Sequence, residues 1–277
     1  MHLELCRGYK KDPLPTYVAE VAQSWRVAGD NWDWWPHTIE TIVRCCMHNS
    51  PSLSLSLASH NMLLSRTVSC SPQNDFVNES RLAGPYGWNY GDFLMTGGAG
   101  CDEFESKGEH CPGQNDAEYR TQFAVYALCA SPLIIGTDVR DFTPIMSSIL
   151  LNEEMLAVNQ DYTAPAGDLV GRFNKDGSPC VVDKSKGRDC KDAPLLLWAR
   201  YMSDKSIVVG VTNIDDDDVL TLTIDFASLF AAQGWGKTTI VQARDLYAKA
   251  DGPTVTGAAM IKAGIHDTTV WKLTPQQ

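Results

Sequence analysis

The chain has 277 residues, of which 44% are hydrophobic and 21% are charged. This is globular composition, and it excludes a disordered chain, a collagen-like repeat and a coiled coil. Lys and Arg number 23 against 34 Asp and Glu, and the formal net charge of -11 disfavours nucleic acid and anionic membranes as partners. No apolar run approaches the length of about 18 residues that a membrane span needs, and the first residues contain no apolar signal-peptide core.

Three helices and one strand are predicted in the first part of the chain. Apolar residues recur at helical spacing over 35–46, and Asn115 is placed to cap a second helix over 117–129. The apolar run 132–136 is typical of a buried parallel strand, and Thr143 with the proline after it is typical of a helix start. Strands that alternate with amphipathic helices predict a parallel sheet or barrel.

The rest of the chain is rich in β-branched residues and is interrupted by Gly, Asp and Pro turns. Turns at regular spacing are typical of an antiparallel sandwich. We therefore predict two domains, 1–165 and 166–277, the first α/β and the second all-β. The strands predicted in the second domain are 195–200, 207–213, 220–225, 238–245 and 269–273.

Residues 47–73 fit neither pattern. They contain the alternation SPSLSLSLAS and carry almost no charge. Alternation alone would predict a strand, but the repetitive composition favours a low-complexity insertion into the first domain.

Nine cysteines are many for a cytosolic protein and ordinary for a secreted one. Cys101 and Cys111 enclose one polar segment and Cys180 and Cys190 enclose another, so each pair is a candidate for a local disulfide, with free buried thiols as the alternative. Neither spacing is that of a zinc or redox site, and no metal site is predicted. Asn78 begins a glycosylation acceptor triplet if the chain enters a secretory pathway.

The common nucleophile, metal-binding and nucleotide-binding signatures are absent from the sequence, so we expect chemistry based on carboxylates, without a cofactor. Four of the eight tryptophans lie between Trp25 and Trp35, interleaved with Arg26, Asp30 and Asp33. Aromatic rings beside carboxylates and a guanidinium are typical of a sugar pocket, where the rings cover C–H faces and the polar groups bind hydroxyls. The same tryptophans could instead pack a hydrophobic core.

Two segments carry a family resemblance. Residues 24–30 read SWRVAGD and residues 84–92 read GPYGWNYGD. In this order they resemble the Trp-Arg-x-x-x-Asp and Gly-Pro-Gly-Gly-Trp-Asn-Asp-Pro-Asp segments of the α-galactosidase family, glycoside hydrolase family 27, also called melibiases. Further segments similar to that family's later barrel elements and sandwich are 118–128, 130–140, 156–161 and 243–247.

The resemblance implies the C-terminal part of a (β/α)8 barrel followed by an antiparallel β-sandwich, with retaining hydrolysis of terminal α-linked galactose. A retaining mechanism uses two carboxyl groups about 5 Å apart, one as nucleophile and one as acid/base. By the match, Asp30 is the acid/base, which protonates the leaving oxygen and then activates water. The residues implied to contact the sugar are Arg26, Trp88, Asp92, Phe93 and, from a more divergent segment, Glu4.

Two departures from the family pattern bear on activity. Tyr90 and Gly91 replace the family's Asp-Pro before Asp92, so this turn is rebuilt. The family's nucleophile lies in a Lys-x-Asp strand motif, and nothing before Asp30 matches it, since Asp12 lies in the proline-rich KKDPLP. A complete barrel takes about 250 residues, whereas the predicted first domain ends at residue 165. We therefore expect a truncated chain that lacks the nucleophile and is inactive as written.

Other interpretations stay open beside this one. A non-catalytic galactoside-binding protein would keep the sugar contacts without a nucleophile. An α-N-acetylgalactosaminidase or a β-L-arabinopyranosidase would differ around the sugar's 2-position, and the deciding residues lie in 4–17, where the resemblance is weakest. An α-galactoside is the expected partner, a homodimer is a candidate assembly, and the resemblance implies a secreted or lysosomal location, although the chain shows no signal peptide.

Overall fold

The computed structural model describes residues 4–5, 24–26, 33–43, 87–98, 113–182, 190 and 192–276. For Glu4 and Arg26 it describes the backbone. Outside the described residues lie the candidate insertion at 47–73 and the candidate residues Asp30, Asn78, Cys101 and Cys111.

Three short strands form a parallel sheet in the first part of the chain. They are β1, Glu4–Leu5; β2, Ser24–Arg26; and β3, Trp88–Tyr90. β2 lies between β1 and β3, and both pairings are parallel. The chain between successive strands is long enough for the crossover connections that parallel pairing requires.

A parallel bridge joins Leu94, which follows β3, to Ile135. Leu94 N donates to Ile134 O at 2.8 Å, and Gly136 N donates to Leu94 O at 2.9 Å. The prediction of a fully buried strand over 132–136 is wrong, because the run forms only this bridge and Ile134 and Ile135 are 36% and 39% exposed. A parallel strand is buried when neighbours cover it on both sides, and in the described part of the chain Leu94 alone pairs with this run.

The described residues of the first part of the chain include four helices: α1, Trp35–Val43; α2, Asp116–Leu128; α3, Pro144–Leu150; and α4, Glu153–Asn159. α2 begins at a capping box, in which Asn115 Oδ1 accepts from Glu118 N at 3.1 Å and the Glu118 carboxylate accepts from Asn115 N at 2.8 Å. α3 begins with Pro144 in its first turn and Thr143 as its cap. Both starts agree with the predictions, because local side-chain chemistry decides them.

The second part of the chain is an antiparallel sandwich of a six-stranded and a two-stranded sheet. In chain order its strands are β4, Asp168–Phe173; β5, Leu195–Tyr201; β6, Ile207–Asn213; β7, Leu220–Asp225; β8, Ile240–Asp245; β9, Ala250–Thr256; β10, Ala258–Ala263; and β11, Thr268–Pro275. The large sheet has the order β4-β5-β6-β11-β8-β9, and β7 pairs with β10 in the small one. A short helix, α5 (Phe226–Leu229), and a 3-10 turn, Ala231–Gln233, connect β7 to β8.

Strands β5 and β6 are buried on both faces. One face of β5, with Leu195 and Leu197, packs in the sandwich core together with residues of β7 and β10. The other face, with Leu196 and Trp198, packs in a second core with α2. Continuous apolar runs therefore replace alternation on these strands, whereas β7 alternates because one of its faces is exposed. The sandwich and the helices of the first part thus share a hydrophobic core.

Candidate functional site

The carboxyl ends of β2 and β3 lie side by side. The register pairs Arg26, the last residue of β2, with Tyr90, the last residue of β3. At the other end of these strands, Ser24 lies between Glu4 of β1 and Trp88 of β3. Functional residues of parallel barrels come from the carboxyl ends of the strands, so the end of the sheet marked by Arg26 and Tyr90 is where a site is expected.

The predicted sugar contacts fall on two levels of this sheet. Glu4 and Trp88 share one row, about 7 Å along the strand direction from the row of Arg26. Asp92 and Phe93 follow the end of β3, beyond the row of Arg26. The sheet therefore groups Arg26 with the Asp92 segment and leaves Glu4 and Trp88 at the opposite end.

Asp92 lies in a left-handed backbone conformation and is almost completely buried. Its φ is 77° and the residue is 3% exposed. Positive φ costs a non-glycine residue about 1 kcal/mol, and Asp tolerates it better than most. The preceding residue is held from α2 and the turn after it, because Gly91 N donates to Ser131 Oγ at 3.3 Å and Tyr126 Oη donates to Gly91 O. The rebuilt turn thus carries a buried acidic side chain on a strained, well-supported backbone.

Phe93 is the exposed aromatic residue of the same segment. It is 47% exposed, and its ring packs edge-on against Tyr90 with the centroids 6.4 Å apart. Gln122 of α2 holds the backbone on both sides of Leu94, since its Nε2 donates to Phe93 O at 3.2 Å and its Oε1 accepts from Met95 N at 2.9 Å. An exposed ring next to a carboxylate suits a sugar, because the ring can cover C–H faces while the carboxylate accepts from hydroxyls.

A second buried carboxylate, Asp33, links the segments that follow β2 and β3. Asp33 is 1% exposed, and Tyr119 Oη lies 2.9 Å from its Oδ1 and 3.1 Å from its Oδ2. The same hydroxyl lies 3.0 Å from Gly98 O, and a Cβ at Gly98 would lie 2.3 Å from Asp33 Oδ2. Burial, with the negative charge of Asp33, raises the pKa of Tyr119 far above its ordinary value, so the phenol stays protonated and serves as a donor.

His266 connects the helices of the first part to the sandwich. Its ring stacks on Trp35 with the centroids 4.5 Å apart, so for this tryptophan the structure shows a packing role. Its Nδ1 lies 2.7 Å from Glu118 Oε1 and its Nε2 lies 2.8 Å from Asp216 Oδ1. Sequence reasoning missed this cluster and the Tyr119–Asp33 contact, because their members are far apart in the chain and no motif contains both partners.

Cys180 and Cys190 are joined by a disulfide, with their Cα atoms 5.8 Å apart. The bond closes part of the connection between β4 and β5, one of the two loops for which a local disulfide is predicted. Cys129, on the other hand, is a buried thiol at the end of α2, and burial raises its pKa. A buried thiol with a raised pKa is unreactive, so Cys129 serves in packing.

Within the described ranges, no group of three or more His, Cys, Asp or Glu side chains is arranged to hold a metal ion. No helix among the described residues has the length and apolar character that a membrane crossing needs. The groups that the described residues offer for chemistry near β2 and β3 are carboxylates, hydroxyls, an amide and aromatic rings.

Two protein-family models match the chain. One, described as alpha galactosidase A, matches residues 56–161, and the other, described as the alpha galactosidase C-terminal beta sandwich domain, matches residues 192–273. The α-galactosidase of Oryza sativa subsp. japonica is 27% identical over 273 residues, which cover 98% of this chain and 48% of the rice protein. The chain spans half or less of the length of the curated relatives that it matches.

Solved structures have the same fold. The α-galactosidase I of Mortierella vinacea superimposes with a TM-score of 0.63 at 19% identity, covering 93% of this chain and 54% of that protein. A family 27 β-L-arabinopyranosidase from Geobacillus stearothermophilus gives a TM-score of 0.67 at 21% identity, covering 99% of this chain and 50% of that one. At these identities the likeness concerns the fold, and it confirms the expected architecture of a partial barrel followed by an antiparallel sandwich.

Proposed function

Because this chain belongs to the α-galactosidase family of glycoside hydrolases, family 27, we propose that it carries the acid/base and sugar-binding portion of a retaining α-galactosidase site. The substrate is an oligosaccharide or glycoconjugate with terminal α-linked galactose. The observation that carries the proposal is the pairing of Arg26 with Tyr90. It makes the strands that lead into the Asp30 and Asp92 segments end side by side, as a shared sugar site requires.

In this proposal Asp30 is the acid/base. It protonates the glycosidic oxygen while the bond to the sugar breaks, and it then takes a proton from the water that releases galactose. The partner in a retaining mechanism is a carboxylate nucleophile about 5 Å away. Nothing before Asp30 in this sequence matches the family's Lys-x-Asp motif. We therefore propose that the 277-residue chain binds the sugar but does not turn it over by itself.

The sugar contacts are assigned to the carboxyl end of the sheet. Asp92 accepts hydrogen bonds from galactose hydroxyls, and the exposed ring of Phe93 covers a C–H face of the sugar. Arg26 supports the sugar beside the position of the nucleophile. The assignments of Trp88 and Glu4 have less support, because both residues lie in the first row of their strands, away from Asp92.

We also propose a secreted or lysosomal location. The support is the disulfide between Cys180 and Cys190. Such bonds persist in oxidising compartments and are rare in the reducing cytosol.

Galactose binding to the chain tests the sugar site directly. We expect wild-type protein to bind galactose in calorimetric titrations and Asp92→Asn to weaken binding at least tenfold, because a hydrogen bond to a charged group contributes about 1.5–3 kcal/mol. Asp138→Asn is the matched control, since Asp138 is an exposed carboxylate paired with Arg140. Folded wild-type protein without affinity for galactose, or equal affinity in the Asp92→Asn variant, would contradict the proposal.

The catalytic role of Asp30 is tested by supplying the missing portion. We would fuse the part of the rice α-galactosidase that this chain does not cover to the chain and assay hydrolysis of an aryl α-galactoside. The expected result is turnover that falls about 100-fold to 10,000-fold in the Asp30→Asn variant. A folded fusion that binds galactose without turnover would instead support the non-catalytic galactoside-binding interpretation. Titrations with N-acetylgalactosamine and L-arabinose distinguish the two related glycosidase activities.

A further inference from the structure

We propose that three buried polar residues of α2, Tyr119, Gln122 and Tyr126, form a polar stripe that positions the Asp92–Phe93 segment for sugar binding. The inference rests on the proposed function, because it takes Asp92 and Phe93 as sugar contacts. The three residues of the stripe do not touch the sugar. They act through the backbone of the segment that follows β3.

The polar stripe runs along one face of α2. Its members are spaced by three and then four residues, which is the spacing of side chains on one helix face. Tyr119 is 3% exposed, and Gln122 and Tyr126 are completely buried. Tyr126 Oη donates to Gly91 O, and Tyr119 Oη lies 3.0 Å from Gly98 O. The segment therefore runs antiparallel to the helix, with Gln122 bound at its middle.

The two bonds of Gln122 fix the middle of the segment as a unit. Its amide group donates to Phe93 O and accepts from Met95 N at 3.2 Å and 2.9 Å. Leu94, between them, pairs with Ile134 and Gly136 across the parallel bridge. The backbone on one side of the segment is thus bonded to residues 134–136, and on the other side it is bonded to the helix.

Burial makes these polar side chains costly unless each is hydrogen-bonded. Transfer of an unpaired amide or hydroxyl into an apolar interior is unfavourable, whereas an apolar side chain packs there without that condition. The other buried residues in the C-terminal half of α2 are apolar: Phe123, Ala124, Val125, Ala127 and Leu128. Each residue of the stripe lies within hydrogen-bond distance of the backbone of the segment that follows β3, and Tyr119 also contacts the Asp33 carboxylate. The contacts with the backbone specify the geometry of that segment.

Asp92 is the residue whose geometry needs this support. Its φ of 77° is unfavourable for a residue with a side chain, and such a conformation persists only when the surrounding contacts determine it. Tyr126 holds Gly91 before it, and Gln122 holds Phe93 after it. When either contact is lost, the backbone can relax and move the carboxylate. Sites of this kind lose binding and rate when a group shifts by about 1 Å.

The test compares two Tyr→Phe variants, each of which removes one hydrogen bond from a phenol to a backbone carbonyl in the contacts of α2. Tyr126→Phe removes the bond to Gly91 O, and Tyr247→Phe removes a bond of the same type, because Tyr247 Oη donates to Arg120 O of α2 at 2.7 Å on the sandwich side. We expect Tyr126→Phe to raise the dissociation constant for galactose about fivefold to tenfold. Tyr247→Phe should leave it unchanged, although both variants lower the melting temperature. Equal effects of the two variants on galactose binding would overturn the proposal.

A double-mutant cycle shows whether the stripe acts through Asp92. In the Asp92→Asn background, Tyr126→Phe should cause no further loss of galactose affinity, because the group that it positions is already impaired. Ligand-observed NMR at millimolar galactose measures these weak affinities. Losses that simply add would contradict the role of the stripe.

Amide hydrogen exchange separates failure of this inference from failure of the proposed function. Tyr126→Phe and Gln122→Met should raise exchange at Leu94 and Met95 about tenfold, and Tyr247→Phe should not. If wild-type protein fails to bind galactose but exchange changes as expected, the sugar-binding function fails and the positioning of the segment stands. If exchange at Leu94 and Met95 does not change in either stripe variant, the inference fails whatever the galactose titration shows.

Discussion

Arg200 is a buried cation that satisfies backbone carbonyl groups rather than a carboxylate. The residue is completely buried on β5, and burial lowers the pKa of its guanidinium to about 10, which still leaves it charged at neutral pH. The carbonyl oxygens that accept from it within 3.3 Å are those of Ala127, Val158, Asn159, Asp161 and Pro165. One side chain of the sandwich thus caps the C-terminal ends of α2 and α4 by donating to carbonyl groups of their last turns, which lack partners within the helix.

Replacing Arg200 by Met should lower the free energy of unfolding by about 3–5 kcal/mol, because several buried carbonyl groups lose their donor at once. Urea denaturation monitored by circular dichroism measures the change. Arg140→Met is the control, since Arg140 is 88% exposed and its hydrogen bonds are to Asp138. The control should be indistinguishable from wild type. A similar small effect in both variants would show that water replaces the lost donors of Arg200.

At the scale of elements, the turns of the sandwich depend on glycine for two separable reasons. Gly257, between β9 and β10, has a φ of 71°, and a Cβ there would lie 2.4 Å from Lys237 O. Gly234, after the 3-10 turn, has a φ of 78° but no heavy atom within 4 Å of where its Cβ would be. A residue with a side chain at position 257 would have both an unfavourable φ and a collision with the main chain, whereas at position 234 it would have the unfavourable φ alone.

We therefore expect Gly234→Ala to cost about 1 kcal/mol of unfolding free energy, from the strained φ alone. Gly257→Ala should cost about 3 kcal/mol, because the backbone of the neighbouring turn must also move. Thermal and urea denaturation of both variants give the comparison. Gly236→Ala serves as the reference, since that site has open space and no positive φ. The interpretation is refuted if Gly257→Ala is no more harmful than Gly234→Ala.

The bounds of individual elements show which of them the local sequence pattern predicts correctly. The predicted helix 117–129 corresponds to Asp116–Leu128, and the predicted strand 207–213 is the same as Ile207–Asn213. The helix is predicted from its N-terminal cap, and the strand is predicted from its continuous apolar run. Strand β9, Ala250–Thr256, was missed because it contains Gly and Pro and has no buried face, and it is held in the sheet by its pairing with β8.

At the scale of the whole molecule, α2 is one of the elements that join the two parts of the chain. Leu128 is completely buried. Its Cδ1 lies 2.6 Å from the position that a Cβ of Gly210 on β6 would occupy, so Leu128 can pack against β6 only because residue 210 has no side chain. Gly167 N donates to Leu128 O at 2.8 Å. On the polar side of the contact, Arg120 pairs with Asp267 at 2.7 Å. The domain boundary at 165/166 stays a prediction from composition.

Leu128→Ala should lower the free energy of unfolding by about 2–4 kcal/mol, from the lost burial and the cavity left between α2 and β6. Because the core is shared, helix content by far-UV circular dichroism and tertiary structure by tryptophan fluorescence should fall in one common transition. Leu151→Ala is the control, as Leu151 is 57% exposed and should change stability by less than about 0.5 kcal/mol. Two separate transitions in wild-type protein would contradict a shared core.

By itself, the sequence determined the family, the order of a barrel part and a sandwich, and the elements with strong local signals. It also identified Arg26, Asp92 and Phe93 as candidate contacts, because motif order carries that information. Only the tertiary structure decided that Glu4 and Trp88 lie at the opposite end of the sheet from Asp92. It alone revealed the polar stripe of α2, in which a buried amide and two phenols bind a distant backbone segment. Periodicity tells which face of a helix is buried, but the partners of a buried polar group depend on which segments the packing brings together.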